Sequence, residues 1–223
     1  MIGRDNGKGG NICGNKIFLF ADSYVTQPDG SFGGFVSNSV AVDKGMGPKT
    51  GDPIMLNDKI GGWADDSFLL RGFVPFTTAE ASYNYNSHGH RFAVWPETGL
   101  IPYNSDSALV YAPVEYIDMS VVPATFSYTG ATLMEITVPG IGGPHAERIA
   151  PMLFDAGQSP ELEWGTIGGL RSWGQSGPGG KDGSVYIFGN PQRGGLYLAC
   201  TDYASVADSS SVRVPSWMRS KLY

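Results

Sequence analysis

Apolar and polar residues alternate along most of this chain in short runs, and each run ends in residues that favour turns. Three of the apolar runs resemble one another: residues 17–20, 108–111 and 185–188. Each follows a turn signal that contains Gly, Asn or Asp. Short apolar runs bounded by such residues are typical of β-strands that are joined by hairpin turns. The pattern therefore predicts an all-β protein with three matching central strands.

Each central strand lies inside a longer pattern of four segments. A Gly-rich polar segment precedes it, an apolar segment follows it, and a further apolar segment comes after that. The preceding segments are residues 4–12, 91–101 and 163–173; the following ones are residues 35–42, 124–138 and 195–200; the last ones are residues 53–56, 148–154 and 212–217. A four-stranded unit repeated with loop insertions is typical of a β-propeller. A β-sandwich of three hairpin pairs fits the same pattern, so the sequence leaves both open.

The repeat predicts one β-propeller domain over residues 1–223, built from four-stranded antiparallel blades. Blade one covers about residues 1–60, an insertion about 61–88, blade two about 89–156 and blade three about 160–217. Propellers close with about four to eight blades, so three units predict an incomplete ring. Helical periodicity is almost absent. The best candidate is a short turn at residues 77–80, where Thr77 or Thr78 would act as the cap.

Composition supports the all-β prediction and argues against two classes of partner. Of the 223 residues, 32 are Gly and 15 are Pro, and only 16% are charged, against about 25% in an average soluble domain. The net charge of −6 comes without a basic run, which argues against nucleic acid. No stretch approaches the roughly 18 apolar residues of a membrane-spanning helix, which argues against a membrane.

The start of the chain and its two cysteines bear on the compartment. Met1 leads straight into a polar segment without a signal peptide. This predicts either an intracellular protein or a natural N-terminus further upstream. Cys13 and Cys200 could form one disulfide, and two buried free thiols are an alternative of at least equal weight.

Two aspartates near the start carry the first candidate chemistry. The turn signal Gly14-Asn15 predicts a hairpin whose strands lie side by side, which would bring Asp5 and Asp22 to one rim of a sheet. Two carboxyl groups on one rim are the minimum that hydrolysis of a glycosidic bond requires. Asp at the end of a strand is also a common turn residue that bonds its own backbone, and this alternative stays open.

Several segments together resemble a known family. They are Arg4-Asp5-Asn6-Gly7, Phe20-Ala21-Asp22-Ser23 and residues 35–41, 93–97, 163–173, 182–189 and 195–199, in this order. The chain resembles the fungal branch of a family of secreted five-bladed β-propellers of unknown function, which is similar to glycoside hydrolases that cut arabinose polymers. The resemblance covers Gly3 to about Trp217. It implies an extracellular protein, and it implies that a leader and roughly two blades of a full member are missing here.

The resemblance also implies roles for four acidic residues. Asp5, on the innermost strand of blade one, is the expected nucleophile or base. Asp22 matches an aspartate of the relatives, with Ala21 in place of the usual Gly. Glu97 lies where blade two contributes an acid. Glu163 opens blade three and is a weaker candidate, because it is expected to precede the inner strand rather than lie on it.

Six further residues are candidates for binding substrate. Trp95, Trp164 and Trp173 lie on or beside predicted inner strands, where their rings would stack on sugars or pack as core between blades. Arg4 or Arg171 would hold a catalytic carboxylate in its ionised form. Asn38 would bond a sugar hydroxyl or the backbone of a neighbouring blade.

The sequence indicates no metal and no cofactor. His88, His90 and His145 lack the spacing of metal ligands, and the Gly-rich run 174–183 is interpreted as a hairpin loop rather than a phosphate site. Two functions remain. One is a glycoside hydrolase that acts on a polysaccharide, with furanoside-containing polymers as candidates. The other is a carbohydrate-binding or structural propeller without catalysis.

Overall fold

The computed structural model describes residues 2–26, 29–43, 56–59, 72–87, 89–139, 143–158, 162–175, 182–191 and 195–214. Within them the chain forms fifteen β-strands, one α-helix and two short 3-10 helices. The all-β prediction is confirmed. Among the described residues no helix is long and apolar enough to cross a membrane.

The strands are numbered in chain order. They are β1 (Ile2–Arg4), β2 (Lys8–Ile12), β3 (Asn15–Phe20), β4 (Ser23–Thr26), β5 (Phe32–Val36), β6 (Ser39–Asp43), β7 (Leu56–Lys59), β8 (His90–Val94), β9 (Ile101–Pro102), β10 (Ser107–Asp118), β11 (Thr125–Thr137), β12 (His145–Asp155), β13 (Leu162–Trp173), β14 (Gly183–Pro191) and β15 (Tyr197–Asp202). The helix α1 covers Thr78–Asn86, and the 3-10 helices cover Tyr203–Ser205 and Ser209–Ser211.

The first part of the chain forms a four-stranded sheet, β2-β3-β6-β7, and a three-stranded sheet, β1-β4-β5. Short breaks in the chain separate β1 from β2, β3 from β4 and β5 from β6, so we describe the two together as the first sheet. The predicted hairpin is confirmed, with Cys13 and Gly14 at its turn and φ angles of 50° and 80°. The predicted continuous strand 4–12 is wrong, because residues 5–7 interrupt it. Hydrogen bonds between Asp5 N and Asp22 O (2.8 Å) and between Ala21 N and Asp5 O (3.1 Å) keep the chains paired there.

The middle sheet has the order β12-β11-β10-β8, and β9 pairs with β10 beyond the end of β8. The predicted inner strand 91–101 is therefore two short strands, with residues 95–100 as a loop between them. Strands β10 and β11 are long and shift register between Val114 and Glu115, where Thr129 is an extra residue on β11. Such bulges bend a strand and re-aim its side chains.

The third sheet has the order β13-β14-β15, and an isolated bridge joins Cys200 of β15 to Arg213. Parts of two predicted outer strands lie outside the described residues: residues 53–55 in the first sheet and residues 215–217 in the third. Cys13 and Cys200 are free thiols.

The middle sheet is buried on both faces. Alternate residues of β10, such as Val110 and Val114, pack with Ile17 and Leu19 of the first sheet. Leu109 and Tyr111, which alternate with these residues along β10, lie on the other face. They pack with Val185, Ile187 and Trp164 of the third sheet. In a two-layer sandwich each sheet buries one face. Here three sheets stack in chain order, so a two-layer sandwich does not describe the fold.

The helix α1 is longer than the predicted single turn. It begins with a capping box in which the Thr77 side chain accepts from Glu80 N and the Glu80 side chain accepts from Thr77 N. Glu80 also forms a buried ion pair with Arg148 of β12. Contacts of this kind, rather than helix propensity, stabilise a short helix, which explains why its length was not predicted.

The outer face of the third sheet is apolar and uncovered by described residues. Leu170 is 47% exposed there, beside the partly exposed Tyr186 and Phe188. Because exposed apolar patches favour association, we expect the chain to self-associate as its concentration rises, as light scattering after size exclusion would detect. Leu170→Lys should reduce association, and Ala81→Lys, at an exposed position of α1 outside this face, should not. A monomer at every concentration would contradict this prediction.

Candidate functional site

Three acidic residues lie on or shortly after the strands β1, β8 and β13, each of which is at an edge of its sheet. Asp5 follows β1, Glu97 lies in the loop between β8 and β9, and Glu163 is the second residue of β13. Glu115 of β10 lies beside β8 and interacts electrostatically with Glu97 and Glu163. We call Asp5, Glu97, Glu115 and Glu163 the carboxylate cluster. Glu163 lies on the strand, so the expectation that it precedes the strand is wrong.

Glu115 has the most perturbed carboxyl group of the cluster. It follows the bulge in β10 and pairs across the sheet with Tyr128 of β11. Burial raises its pKa to about 7, and the negative charges of Glu163 and Glu97 act in the same direction. A large fraction of Glu115 therefore stays protonated at neutral pH, where an ordinary glutamate is ionised.

Glu97 is half-buried, and some of its neighbours raise the pKa of its carboxyl group while others lower it. Burial raises the pKa of its carboxyl group, and the charge of Asp5 adds to that effect. A hydrogen bond from the Asn6 side chain and the positive charge of Lys8 oppose it. The contacts with Asn6 and Lys8 favour the ionised form of Glu97. At Glu115, by contrast, burial and the two neighbouring negative charges all raise the pKa. Glu97 is therefore the more readily ionised member of the pair.

Tyr128 links the middle sheet to the third sheet beside these acids. Its hydroxyl donates a hydrogen bond to the backbone oxygen of Trp164 at 3.1 Å. Burial, followed by the charges of Glu163 and Glu115, raises the pKa of Tyr128 far above its usual value. The phenol stays protonated, and it fixes β13, which carries Glu163, against β11, whose Tyr128 pairs with Glu115.

The two aspartates that the hairpin was expected to join are adjacent, but they differ in role. Asp5 is exposed, and its Oδ1 accepts from Asn6 N at 2.7 Å, as a turn aspartate does. Both oxygens of Asp22 are occupied: Oδ2 by Arg91 Nη2 and Oδ1 by Trp95 Nε1, each at 2.9 Å. Asp22 therefore orients Arg91 and Trp95 rather than presenting a free carboxylate.

Three of the expected binding residues lie near Asp5 and Asp22. Trp95 is half-buried, with its ring centroid 5.9 Å from that of Phe126. The Arg4 guanidinium lies 4.5 Å from the centroid of the Phe20 ring. Asn38 is buried: it accepts from Val74 N at 2.7 Å and donates to Val94 O at 3.0 Å. The amide of Asn38 thus bonds backbone, which was the second of its two predicted roles.

The other three expected binding residues lie away from the cluster or inside the core. Trp164 is only 5% exposed and packs between the middle and third sheets. Arg171 is buried, donates to Tyr103 O at 2.7 Å and lies 4.2 Å from the Trp173 ring centroid. At about 3.3 Å per residue, Arg171 is roughly 25 Å along β13 from Glu163. These side chains stabilise the stack of sheets and do not line the cluster.

Glu115 and Tyr128 were not predicted from the sequence. The sequence does contain one signal for Glu115, which is a glutamate inside an otherwise apolar strand. Charged residues are rare in such strands unless they have a partner or a function. The insertion residues 60–71 and His88 lie outside the described residues. Over the described ranges, no group of three or more His, Cys, Asp and Glu side chains is arranged to hold a metal ion.

No protein-family model and no curated protein matches the chain.

Proposed function

We propose that this chain is a glycoside hydrolase of the β-propeller type that cleaves a polysaccharide outside the cell. Furanoside-containing polymers such as arabinans are the first candidates, in keeping with the family resemblance of its motifs. The observation that carries the proposal is the electrostatic interaction between acidic residues of three stacked sheets: Asp5 acts on Glu97, and Glu97 and Glu163 act on Glu115. Three sheets stacked in chain order, each with its first strand at an edge, also support a propeller-like arrangement.

Glu115 and Glu97 form the proposed catalytic pair. Glycoside hydrolysis needs one carboxyl group that is protonated and one that is ionised. Glu115, with a pKa of about 7, is the general acid that protonates the leaving oxygen. Glu97, with Asn6 and Lys8 beside it, is the ionised partner that attacks the anomeric carbon or activates water. Asp5 and Glu163 keep the pKa values of this pair raised through their charge.

The proposal restricts the partners to carbohydrate. A net charge of −6 and a site formed by carboxylates repel nucleic acid. Neutral sugars carry no charge that these carboxylates would repel. Their hydroxyls bond carboxylates and amides well, and their apolar faces suit the half-buried Trp95. No nucleic acid, membrane or cofactor is required for this chemistry.

We expect hydrolysis to depend on pH with a decline above about pH 7. The acid must be protonated, so activity falls as the pH rises through the pKa of Glu115, which is about 7. Glu163→Gln removes a like charge, lowers that pKa and moves the alkaline limb to lower pH. The measurement is kcat/KM against pH for both proteins. An alkaline limb that does not move in Glu163→Gln would contradict the coupling.

The direct test is the release of reducing sugars from a panel of arabinans and other plant and microbial polysaccharides by the whole chain. Glu115→Gln, tested in parallel, controls for contaminating activity. Release by the natural sequence alone supports the proposal. Retained binding without release from any substrate would favour the alternative, a carbohydrate-binding propeller.

A further inference from the structure

A cavity lies against β8, the strand that pairs with the Glu115 segment of β10, and the proposed chemistry does not use this cavity. It has a volume of about 240 Å³ and is formed by β5, the end of α1 and β8. This volume is below the roughly 300–1,000 Å³ of pockets that hold drug-sized ligands, so it suits a single ring. The helix is tied to β8 by Asn84, whose amide donates to Phe92 O at 3.0 Å and accepts from Phe92 N at 2.6 Å. The cavity walls are therefore fixed.

Aromatic rings form the apolar part of this cavity. Phe35, Phe76 and Phe92 line it, and Phe35 is 42% exposed. The Arg91 guanidinium lies 4.8 Å from the centroid of the Phe35 ring, which holds the ring in place. An exposed aromatic face held by its neighbours can pack against the C–H face of a ring-shaped ligand with little loss of side-chain entropy.

Polar groups of both kinds line the same cavity. Among the described residues, Asp22 is the one side chain that accepts a hydrogen bond from the Arg91 guanidinium. The other N–H groups of that guanidinium remain available as donors. His90 Nδ1 lies 3.3 Å from Asp118 Oδ1. Hydrogen bonds from Ser120 lower the pKa of Asp118, so it is ionised and Nδ1 carries the proton. Neutral His90 then presents Nε2 as an acceptor, and Ser87 offers a hydroxyl that both donates and accepts.

This combination matches one class of ligand. Donors and acceptors beside aromatic faces suit a ring that has C–H faces and hydroxyls at its edge, and each hydroxyl both donates and accepts. Arg91 is paired with Asp22, and His90 lies beside the carboxylate of Asp118. The cavity therefore has no excess of positive charge, which favours a neutral sugar over an anion.

Asp22 connects this cavity to the carboxylate cluster. One of its oxygens binds Arg91 of the cavity, and the other binds Trp95, whose backbone oxygen accepts from Glu97 N at 2.8 Å. Arg91 and Trp95 are about 13 Å apart along an extended strand, which exceeds the width of one sugar ring. We propose that the cavity is a subsite for one neutral sugar ring of the same polymer, so that the substrate is an oligosaccharide or longer chain lying along β8. This inference rests on the proposed function.

The test measures binding separately from hydrolysis. Calorimetric titrations of the whole chain carrying Glu115→Gln would use α-1,5-linked arabinobiose and arabinohexaose. We expect the hexaose to bind at least about tenfold more tightly than the biose, and Phe35→Ala to remove about tenfold of that affinity. Phe32→Ala is the matched control, because Phe32 lies on the same strand, is 69% exposed and does not line the cavity.

The outcomes separate this inference from the proposed function. Equal binding of the two sugars, no binding of either, or equal effects of Phe35→Ala and Phe32→Ala would overturn the subsite, even if the natural sequence releases reducing sugar. A selective loss in Phe35→Ala supports the subsite. If the natural sequence then hydrolyses nothing, the proposed function fails while the subsite stands.

Discussion

Replacing Glu115 by Gln should lower kcat for polysaccharide hydrolysis by a factor of about 10³, within the roughly 10²–10⁴ that general acid–base catalysis contributes. The amide keeps the size and polarity of the side chain but cannot deliver the proton that the leaving oxygen needs. Glu97→Gln should cause a loss of similar size, because it removes the ionised partner. Initial rates of reducing-sugar release over a range of substrate concentrations give kcat and KM for each variant.

The control for these variants is Glu147→Gln, an exposed glutamate on β12 outside the cluster. It should leave kcat unchanged. Because each substitution replaces a partly buried ionisable carboxyl group by a neutral amide of similar size, thermal unfolding followed by circular dichroism should show stability no lower than that of the natural sequence. If Glu115→Gln stays folded and retains full kcat, Glu115 is not the acid.

Replacing Arg148 by Met should lower the free energy of unfolding by about 3–5 kcal/mol, which is the usual cost of leaving one member of a buried ion pair alone. The Arg148 and Glu80 side chains are only 4% and 10% exposed, and Arg148 Nε also donates to Thr132 Oγ1 at 3.0 Å. Without the guanidinium, Glu80 keeps a buried charge and loses its partner. For a chain of this size, the melting temperature should fall by about 10 °C.

A double variant distinguishes the ion pair from simple packing. Glu80→Gln keeps an acceptor for the capping hydrogen bond to Thr77 N but removes the charge. Arg148→Met combined with Glu80→Gln should therefore recover much of the lost stability. The matched single control is Glu147→Ala, next to Arg148 but exposed. A melting temperature for Arg148→Met no lower than that of Glu147→Ala would contradict the role of the ion pair.

Local signals predicted much of the fold. The turn at Gly14 and the alternation of residues 108–111 marked hairpins and central strands, because hairpin geometry and burial of β-strands depend on nearby residues. The interruptions at residues 5–7 and 95–100 were not predictable. They are stabilised by hydrogen bonds to distant segments, such as those of Asp22 with Asp5, Arg91 and Trp95.

The candidate site was predictable in part. Asp5 and Glu97 were identified from motifs, and their electrostatic interaction agrees with one site. Glu115 was missed because its importance depends on pairing with Tyr128 and on a bulge that no local pattern reveals. Trp164 and Arg171 were expected at the ligand, but packing between the sheets buries both. Residue type alone does not distinguish a stacking platform from a core residue.

The most direct test of the central claim, that acidic side chains of different sheets share one site, is the titration of the Glu115 carboxyl group. Carbon-13 NMR of glutamate-labelled protein would follow it, with the resonance assigned from Glu115→Gln. We predict a midpoint of about 7, and a lower midpoint when Glu97→Gln and Glu163→Gln are combined. A midpoint near the ordinary value of about 4.3, unchanged in the double variant, would contradict the account.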